Sequence, residues 1–432
     1  MNPAKPSLEL LRTLTDEHVL RALMRQQRLT RAELAAETGI SKPTVGESVR
    51  RLVDAGLVAD TGQRSAGGRG RGRVGSYYAL AGSVGVALAV SIAPDGIVAE
   101  CIDAHGGTVA RAQETISRPA RPLQVAAALR TAAEKTRRDT GLAPRLAVVS
   151  AADPVDRTTG RTVHLPDAPF LLGELDPAQT LAPHVDGPVT VDNDVNWAAQ
   201  AERDRARAAA LDDFAYLFLG QGLGCAIISD GRVRRGHTGL AGEVAHLTTT
   251  GPRGQALPFI EVFSELGLRQ TGSTAIDTER LLTAATGPEP QAAATRHALS
   301  QAVSGILAAI VALSDPELII IGGSWGSRPV ILETIAAGTA RLPRTVPVRG
   351  AELTCNPSLA GARIDALSRL RSDIITAPRR TGATERSSQQ QQTSIHSRTT
   401  ARFASAEPGW TASEPRRCPA AGASQLMAGS CS

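Results

Sequence analysis

The stretch Phe214–Leu247, FAYLFLGQGLGCAIISDGRVRRGHTGLAGEVAHL, constrains this chain more than any other. It opens with an apolar run, Phe214–Leu219, of the length and composition of a buried strand. The glycine turn Gly220-Gln221-Gly222-Leu223-Gly224 follows, and a second apolar run, Cys225–Ser229, reads as the return strand. Asp230-Gly231 is a hairpin signal, because both residue types tolerate positive φ. Gly236, Gly239 and Gly242 then bracket a loop that ends in Glu243 and His246. Glycine lets backbone approach a ligand closely, and the two polar side chains can point into the cleft so formed. A hairpin with a ligand-free glycine loop is the plainer reading, but it needs three separate signals to coincide by accident.

The same residues, in this order, resemble the ROK family of sugar kinases and sugar-responsive repressors. The family pattern is a Leu-Gly-x-Gly-x-Gly turn, an Asp-Gly hairpin, then Gly-His-x-Gly-x-Ala-Gly-Glu-x-x-His. Gly236–His246 fits it at nearly every position, with Ala245 where the family has Gly. The resemblance implies an α/β fold: a two-lobed, actin-like ATPase (ribonuclease H-like) body. A second block strengthens it. The strand Pro188–Val191 runs into Asp192-Asn193-Asp194-Val195-Asn196, similar to the family's Asn-Asp-x-Asn signature, and the helix Trp197–Arg207 follows. A carboxylate beside an amide suits the paired hydroxyls of a sugar. In the kinases that aspartate is the base, a role the resemblance carries at most onto Asp194. The plainer reading of the block is an Asx-type helix cap. Phe259-Ile260-Glu261 matches a Cys-Leu-Glu position of the family, which makes Glu261 a candidate third sugar contact.

Two departures qualify the resemblance. The kinases carry an Asp-Gly-x-Thr phosphate turn in their first hairpin. Here the segment is Ser91-Ile92-Ala93-Pro94-Asp95-Gly96, without an acidic residue directly after the strand, and Pro94 removes an N–H donor. Many members also hold zinc through a Cys-x-Cys-Gly-x-x-Gly-Cys loop. The matching loop, 248–258, has no cysteine, and one histidine cannot hold a tetrahedral structural zinc. Neither metal nor cofactor is expected.

The N-terminal 80 residues carry a different signal. Val19, Leu20, Leu23 and Met24 share one helical face. Thr30-Arg31-Ala32-Glu33 is a capping box that starts a short helix, Arg31–Thr38, and Gly39 ends it. Ser41 caps the next helix, with Pro43 in its first turn and a buried stripe of Val45, Val49, Leu52 and Val53. Helix, four-residue turn, helix is the helix-turn-helix arrangement, whose second helix enters the major groove. Opposite the stripe lie Lys42, Thr44, Ser48 and Arg51, the candidate DNA contacts. Between strands Leu57–Ala59 and Ser76–Leu80, where a winged helix keeps its wing, lie Arg64, Arg69, Arg71 and Arg73, three of them alternating with glycine. Such a cationic ribbon suits a narrow minor groove. The ROK repressors have a similar head, usually with Gly-Arg-Pro at the wing.

Charge agrees with that division. Residues 1–75 hold 13 Lys/Arg against 8 Asp/Glu, although the whole chain of 432 residues carries only +5. A basic head on an acidic body suggests nucleic acid bound at one end. No run of eighteen apolar residues occurs, and the N-terminus lacks an apolar signal core, so no membrane partner and a cytoplasmic location are expected. The five cysteines show neither pairing nor metal spacing. Residues 376–432, with their glutamine run and no apolar period, read as a disordered tail.

The expected organisation is a winged helix-turn-helix over 1–80, a ROK body over 81–375 with lobes of about 81–190 and 191–375, and the tail. The expected function is a sugar-responsive transcriptional regulator, a repressor of carbohydrate genes, working as a homodimer or homotetramer on an inverted-repeat DNA operator. A sugar or sugar phosphate would sit among Asn193, Asp194, Glu243, His246 and Glu261. The rivals are an ATP-dependent sugar kinase with an added head, and a constitutive DNA-binding protein with a vestigial body.

Overall fold

A computed structural model describes residues 8–65, 75–165, 169–206 and 210–377. The wing arginines Arg69, Arg71 and Arg73 and residues 378–432 lie outside the described residues. The head contains α1 (Leu8–Arg25), β1 (Leu29–Thr30), α2 (Arg31–Thr38), α3 (Lys42–Asp54), β2 (Val58–Arg64) and β3 (Ser76–Leu80), with strand order β1-β3-β2. Its local grammar follows the sequence. Thr30 and Glu33 exchange both bonds of a capping box, and Gly39 closes α2 at φ 69°. Ser41 accepts the Thr44 N–H at the start of α3. Val45, Val49 and Leu52 are buried as the stripe requires, but Val53 is 38% exposed. Its place is taken by Ser48, which faces inward.

The body consists of two lobes with the same sheet plan. The first has β4 (Ala87–Ala93), β5 (Gly96–Ile102), β6 (Thr108–Glu114), α4 (Pro122–Thr140), β7 (Ala147–Ala151), α5 (Pro177–Leu181) and β8 (Val189–Asn193). Its strand order is β6-β5-β4-β7-β8. After α6 (Asp194–Arg205) the second has β9 (Phe214–Leu219), β10 (Leu223–Ser229) and β11 (Arg232–Val233). A small hairpin, β12 (Thr248–Thr250) and β13 (Ala256–Pro258), occupies the cysteine-free loop 248–258. Then come α7 (Phe259–Glu265), α8 (Thr278–Ala285), α9 (Pro290–Ser314), β14 (Leu318–Gly322), α10 (Pro329–Thr339) and β15 (Val348–Gly350). The second sheet runs β11-β10-β9-β14-β15. In both lobes an antiparallel three-stranded meander joins two parallel strands through its first strand, β4 or β9. That repeated plan is the actin-like fold the resemblance implies.

The parallel strands explain where a ligand can go. In open α/β sheets the crevice lies beyond the carboxyl ends of the strands. The ends of β4, β7 and β8 on one side, and of β9 and β14 on the other, all border one cleft. Helix α6 sits between the lobes. Its Trp197 belongs to the first lobe and donates from Nε1 to the Val149 carbonyl, 3.0 Å away. Its Val195, Ala198 and Ala199 pack on Phe214, Tyr216 and Ile228 of the second.

The last helix, α11 (357–377), crosses back. Leu359, Ala362, Ala366, Leu370 and Ile374 pack with Ala87, Ala89 and Val148 of the first sheet, not with the second lobe. At its start it meets α6 so closely that a Cβ on Gly361 would strike the Trp197 carbonyl. The lobe boundary drawn at 191–375 therefore gives the first lobe too little chain. Helix α11 also runs through Ala377, past the expected start of the tail. The apolar core of the head is continuous with α11 and the outer face of the first sheet. The Ser83 hydroxyl adds a hydrogen bond to the Gly56 carbonyl across that junction.

One helix, α9, is long and apolar enough to cross a membrane by length and composition. Its Leu299, Val303, Ile306 and Leu307 instead pack against Phe259, Phe263 and Ile319, as the core helix of the second lobe.

Candidate functional site

The cleft has a volume of about 400 Å³. Each part of its wall follows from local sequence. Strand β9 is buried throughout except Phe218, and the turn after it, Gly220–Gly224, forms part of the wall. Trp325, fully buried, donates its indole N–H to the Gly220 carbonyl and braces that turn from beneath. Asp230 and Gly231 both take positive φ, 51° and 67°, in the hairpin that the sequence signals. The following loop returns to the cleft because Gly242 (φ 101°) lies against the Cys225 carbonyl, where a Cβ would have no room. Glu243 and His246 then flank a single 3-10 turn, Val244–His246, and both border the cleft.

Across from them, β8 ends in Asn193 and α6 begins with Asp194. Asn193 does cap the helix: its Oδ1 accepts the Val195 N–H at 2.9 Å, and its Nδ2 donates to the Asp153 carbonyl at 3.3 Å. It borders the cleft with its amide so engaged, which makes it foremost the residue that aims Asp194. Behind it Asp192 is buried and pairs with Arg235, 2.6 Å away, and with the Asn196 amide.

The cleft brings together four of the five sugar-site candidates: Asn193, Asp194, Glu243 and His246. Glu261 is a correction. It lies on α7 outside the cleft wall, and its carboxylate is taken by Arg269 at 3.0 Å. Its neighbour Ile260 reaches the cleft instead. Sequence reasoning also missed Asp153. This residue follows β7, is 3% exposed and borders the same cleft. Its one sequence signal was position, a carboxylate at the end of a strand destined for the crevice.

Three carboxyl groups therefore border this cleft, Asp153 buried and Asp194 and Glu243 half-buried. Burial pushes Asp194 up to about 7. Burial and then the Asp194 charge raise Glu243 to about 7. Asp153 rises to about 7, through burial first and the Asp194 and Glu243 charges besides. Burial disfavours the charged forms and like charges resist joint ionisation, so the trio is held toward its protonated forms. It can both donate and accept hydrogen bonds, which suits hydroxyl or amino groups.

The mouth of the cleft differs. The turn after β4 contributes Ser91, Pro94 and Asp95. Asp95 pairs with Arg118 at 3.1 Å, and Arg118 also donates to the Gln221 side chain of the second lobe at 3.1 Å. Arg118 thus bridges the turn after β4 and the Gly220–Gly224 turn across the mouth.

In the head, Lys42 and Thr44 are exposed at the first turn of α3, as a base-reading position requires. Ser48 is a correction, and Arg51, about a third exposed, is partly engaged within the head. Ser48 is fully buried and donates to Asp16 at 2.5 Å. Arg51 reaches the same carboxylate at 2.6 Å. The pair ties α3 to α1. The exposed arginine of this turn is Arg50, paired with Glu47. Arg64 is exposed at the end of β2, 4.0 Å from Asp60.

Comparison with known proteins agrees with this anatomy. The ROK family profile matches residues 87–347, and a winged helix-turn-helix DNA-binding profile matches residues 12–59. The chain belongs to the ROK family, in the form that carries a winged-helix head, that of its transcriptional regulators. A bifunctional enzyme NanE/NanK of Brucella suis biovar 1 is 30% identical over 181 residues, which is 40% of this chain and only 34% of that protein. The chain thus spans about a third of that relative's length. An N-acetylmannosamine kinase of Vibrio cholerae is 28% identical over 201 residues, 43% of this chain and 68% of that one. A xylose repressor of Caldicellulosiruptor bescii is 43% identical over 61 residues, 14% of this chain and 15% of that one. Among solved structures, a ROK transcriptional regulator homologous to the E. coli MLC protein superposes with a TM-score of 0.57 at 18% identity, over 84% of this chain and 99% of that one. A ROK glucokinase of Streptomyces griseus gives 0.51 at 23% identity, over 66% of this chain and all of the other. These two establish the fold.

Proposed function

We propose that this protein is a sugar-responsive transcriptional repressor of carbohydrate genes. Two heads of an oligomer would read an inverted repeat, and a sugar held in the cleft would change their affinity for it. The observation that carries the reading is the pairing of two features in one packed unit. A recognition helix with open Lys42 and Thr44 is joined, through the core it shares with α11, to a cleft walled by Asn193, Asp194, Glu243 and His246. A ligand that prefers one lobe arrangement shifts the head by no more than its differential affinity for the two states. Helix α11 is the element placed to pass that shift on. It packs on the first sheet and on α6, and its far end meets the head.

A kinase reading has one observation in its favour: burial brings Asp194 to about 7, where a general base works well. Against it stand Pro94 in the first turn and the Arg118 bridge from Asp95 to Gln221 across the cleft mouth. A coupled assay with ATP, magnesium and a hexose panel decides. The regulator reading expects no turnover. Turnover on any hexose that disappears in Asp194→Asn would replace it with the kinase.

A further inference from the structure

We propose that Asp153, acting with Asp194 and Glu243, sets the charge class of the effector: the cleft takes a sugar bearing an amino group and refuses phosphorylated and other anionic sugars. This rests on the reading of the cleft as an effector site.

The first argument is position. Asp153 leaves the end of β7 into the crevice, and Asp194 leaves the neighbouring strand β8. Glu243 arrives from the second lobe on the turn that Gly242 permits. Asp153 is 3% exposed, and its backbone carbonyl accepts from the Asn193 amide.

The second argument is the charge of the wall. Among the described residues that border the cleft, the acidic ones are Asp95, Asp153, Asp194 and Glu243, and none is Lys or Arg. His246 and the buried thiol of Cys225 are the other titratable side chains there. The nearby cations are committed elsewhere, Arg118 to Asp95 and Gln221 at the mouth, and Arg235 to Asp192 behind the wall. A phosphate entering the buried end would meet three carboxyl groups and no cation of its own.

The third argument is what the third carboxyl adds. A neutral sugar can be held by an amide, one carboxylate and a second acceptor. A third carboxyl on the wall adds like charge, and burial with that charge holds the groups toward their protonated forms. An ammonium among the three removes that strain. It favours their ionised forms and can donate charge-assisted hydrogen bonds to the carboxylates within its reach. A bare metal ion is a poorer occupant, because no group of described His, Cys, Asp or Glu residues has metal-binding geometry.

The test is isothermal titration of the full chain at pH 7. The probes are glucose, mannose and galactose, each as the free sugar, the 2-amino sugar and the 6-phosphate. The expected result is an amino sugar that binds at least tenfold tighter than its parent and releases protons, read from the dependence of the heat on buffer ionisation enthalpy. The 6-phosphates should bind at least a hundredfold more weakly than the amino sugar. Asp153→Asn should shrink the amine preference to threefold or less and reduce the proton release. The wild-type panel decides even if that variant fails to fold. A 6-phosphate that binds as tightly as the amino sugar overturns the proposal. So does a free sugar that matches its amino counterpart, although the effector reading then survives. If no member of the panel binds, the effector reading falls and takes the proposal with it.

Discussion

Asp194 shows how one residue links folding to function. It lies at the junction of β8 and α6, aimed by the Asn193 cap, on the acidic wall of the cleft. In the fold Asp153, Asp194 and Glu243 hold their protons up to about 7. In an unfolded chain such groups release them near pH 4. Between those values the folded state binds more protons, so the contribution of the trio to stability falls as pH rises. It is complete below about pH 4 and lost above about pH 7. Asp194→Asn should therefore change Tm little at pH 5 and raise it at pH 8, by about 2–4 °C for each kcal/mol of repulsion relieved. Equal Tm differences at the two pH values would mean that the three groups do not titrate together. Glu243 and His246 were legible as a pair because glycines punctuate the loop before them. Asp153 was not, since it belongs to no short motif and its meaning depends on strand ends that meet only in the fold. Glu261 misled for the opposite reason. Its motif position was right, but Arg269, eight residues on, claims its carboxylate.

At the scale of elements, α3 separates structural from recognition residues. Spacing along a helix gives Val45, Val49 and Leu52, but the edge of the stripe is decided by a partner far away in sequence. Asp16 lies 32 residues before Ser48, and its buried carboxylate turns Ser48 inward and engages the Arg51 guanidinium. Asp16→Ala would leave the Ser48 hydroxyl and the Arg51 guanidinium without that partner, a loss of about 1–3 kcal/mol from the head. Lys42→Ala should leave Tm unchanged, weaken binding to DNA and lower the salt slope by about 0.9 if Lys42 touches one phosphate. Replacing Arg69, Arg71 and Arg73 together by Ala should lower the slope by about 0.9 for each phosphate that these arginines neutralise. An unchanged slope would remove the wing from the interface. The strand Phe214–Leu219 and the Asp230-Gly231 turn were read to the residue, because apolar runs and positive-φ pairs are local signals. The return of α11 to the first lobe was not readable. Its apolar face fits either sheet, and only the close approach of Gly361 to Trp197 identifies which.

The whole molecule couples a cationic reading head to an acidic cleft through packing that has no flexible joint among the described residues between α11 and the first sheet. The repeated sheet plan supplies two lobes, and α6 lies between them with one face in each core. A two-headed oligomer of such units should prefer half-sites about 34–36 Å apart, or a multiple of that spacing. An operator series with the half-sites moved by about five base pairs checks it, because half a turn puts one head on the wrong face of the duplex.

The most direct measurement is operator binding by fluorescence anisotropy, on a duplex selected from a random library, with and without the tightest-binding sugar of the titration panel. Wild type should change its DNA affinity when the sugar is added. Glu243→Ala removes a charge-assisted hydrogen bond worth roughly 1.5–3 kcal/mol, so it should need about ten to a hundred times more sugar for the same response, a factor of ten for each 1.4 kcal/mol. Its DNA affinity without sugar should match that of wild type. If wild type and Glu243→Ala respond to the sugar alike, the cleft is not where the signal enters, and the account is wrong at its centre.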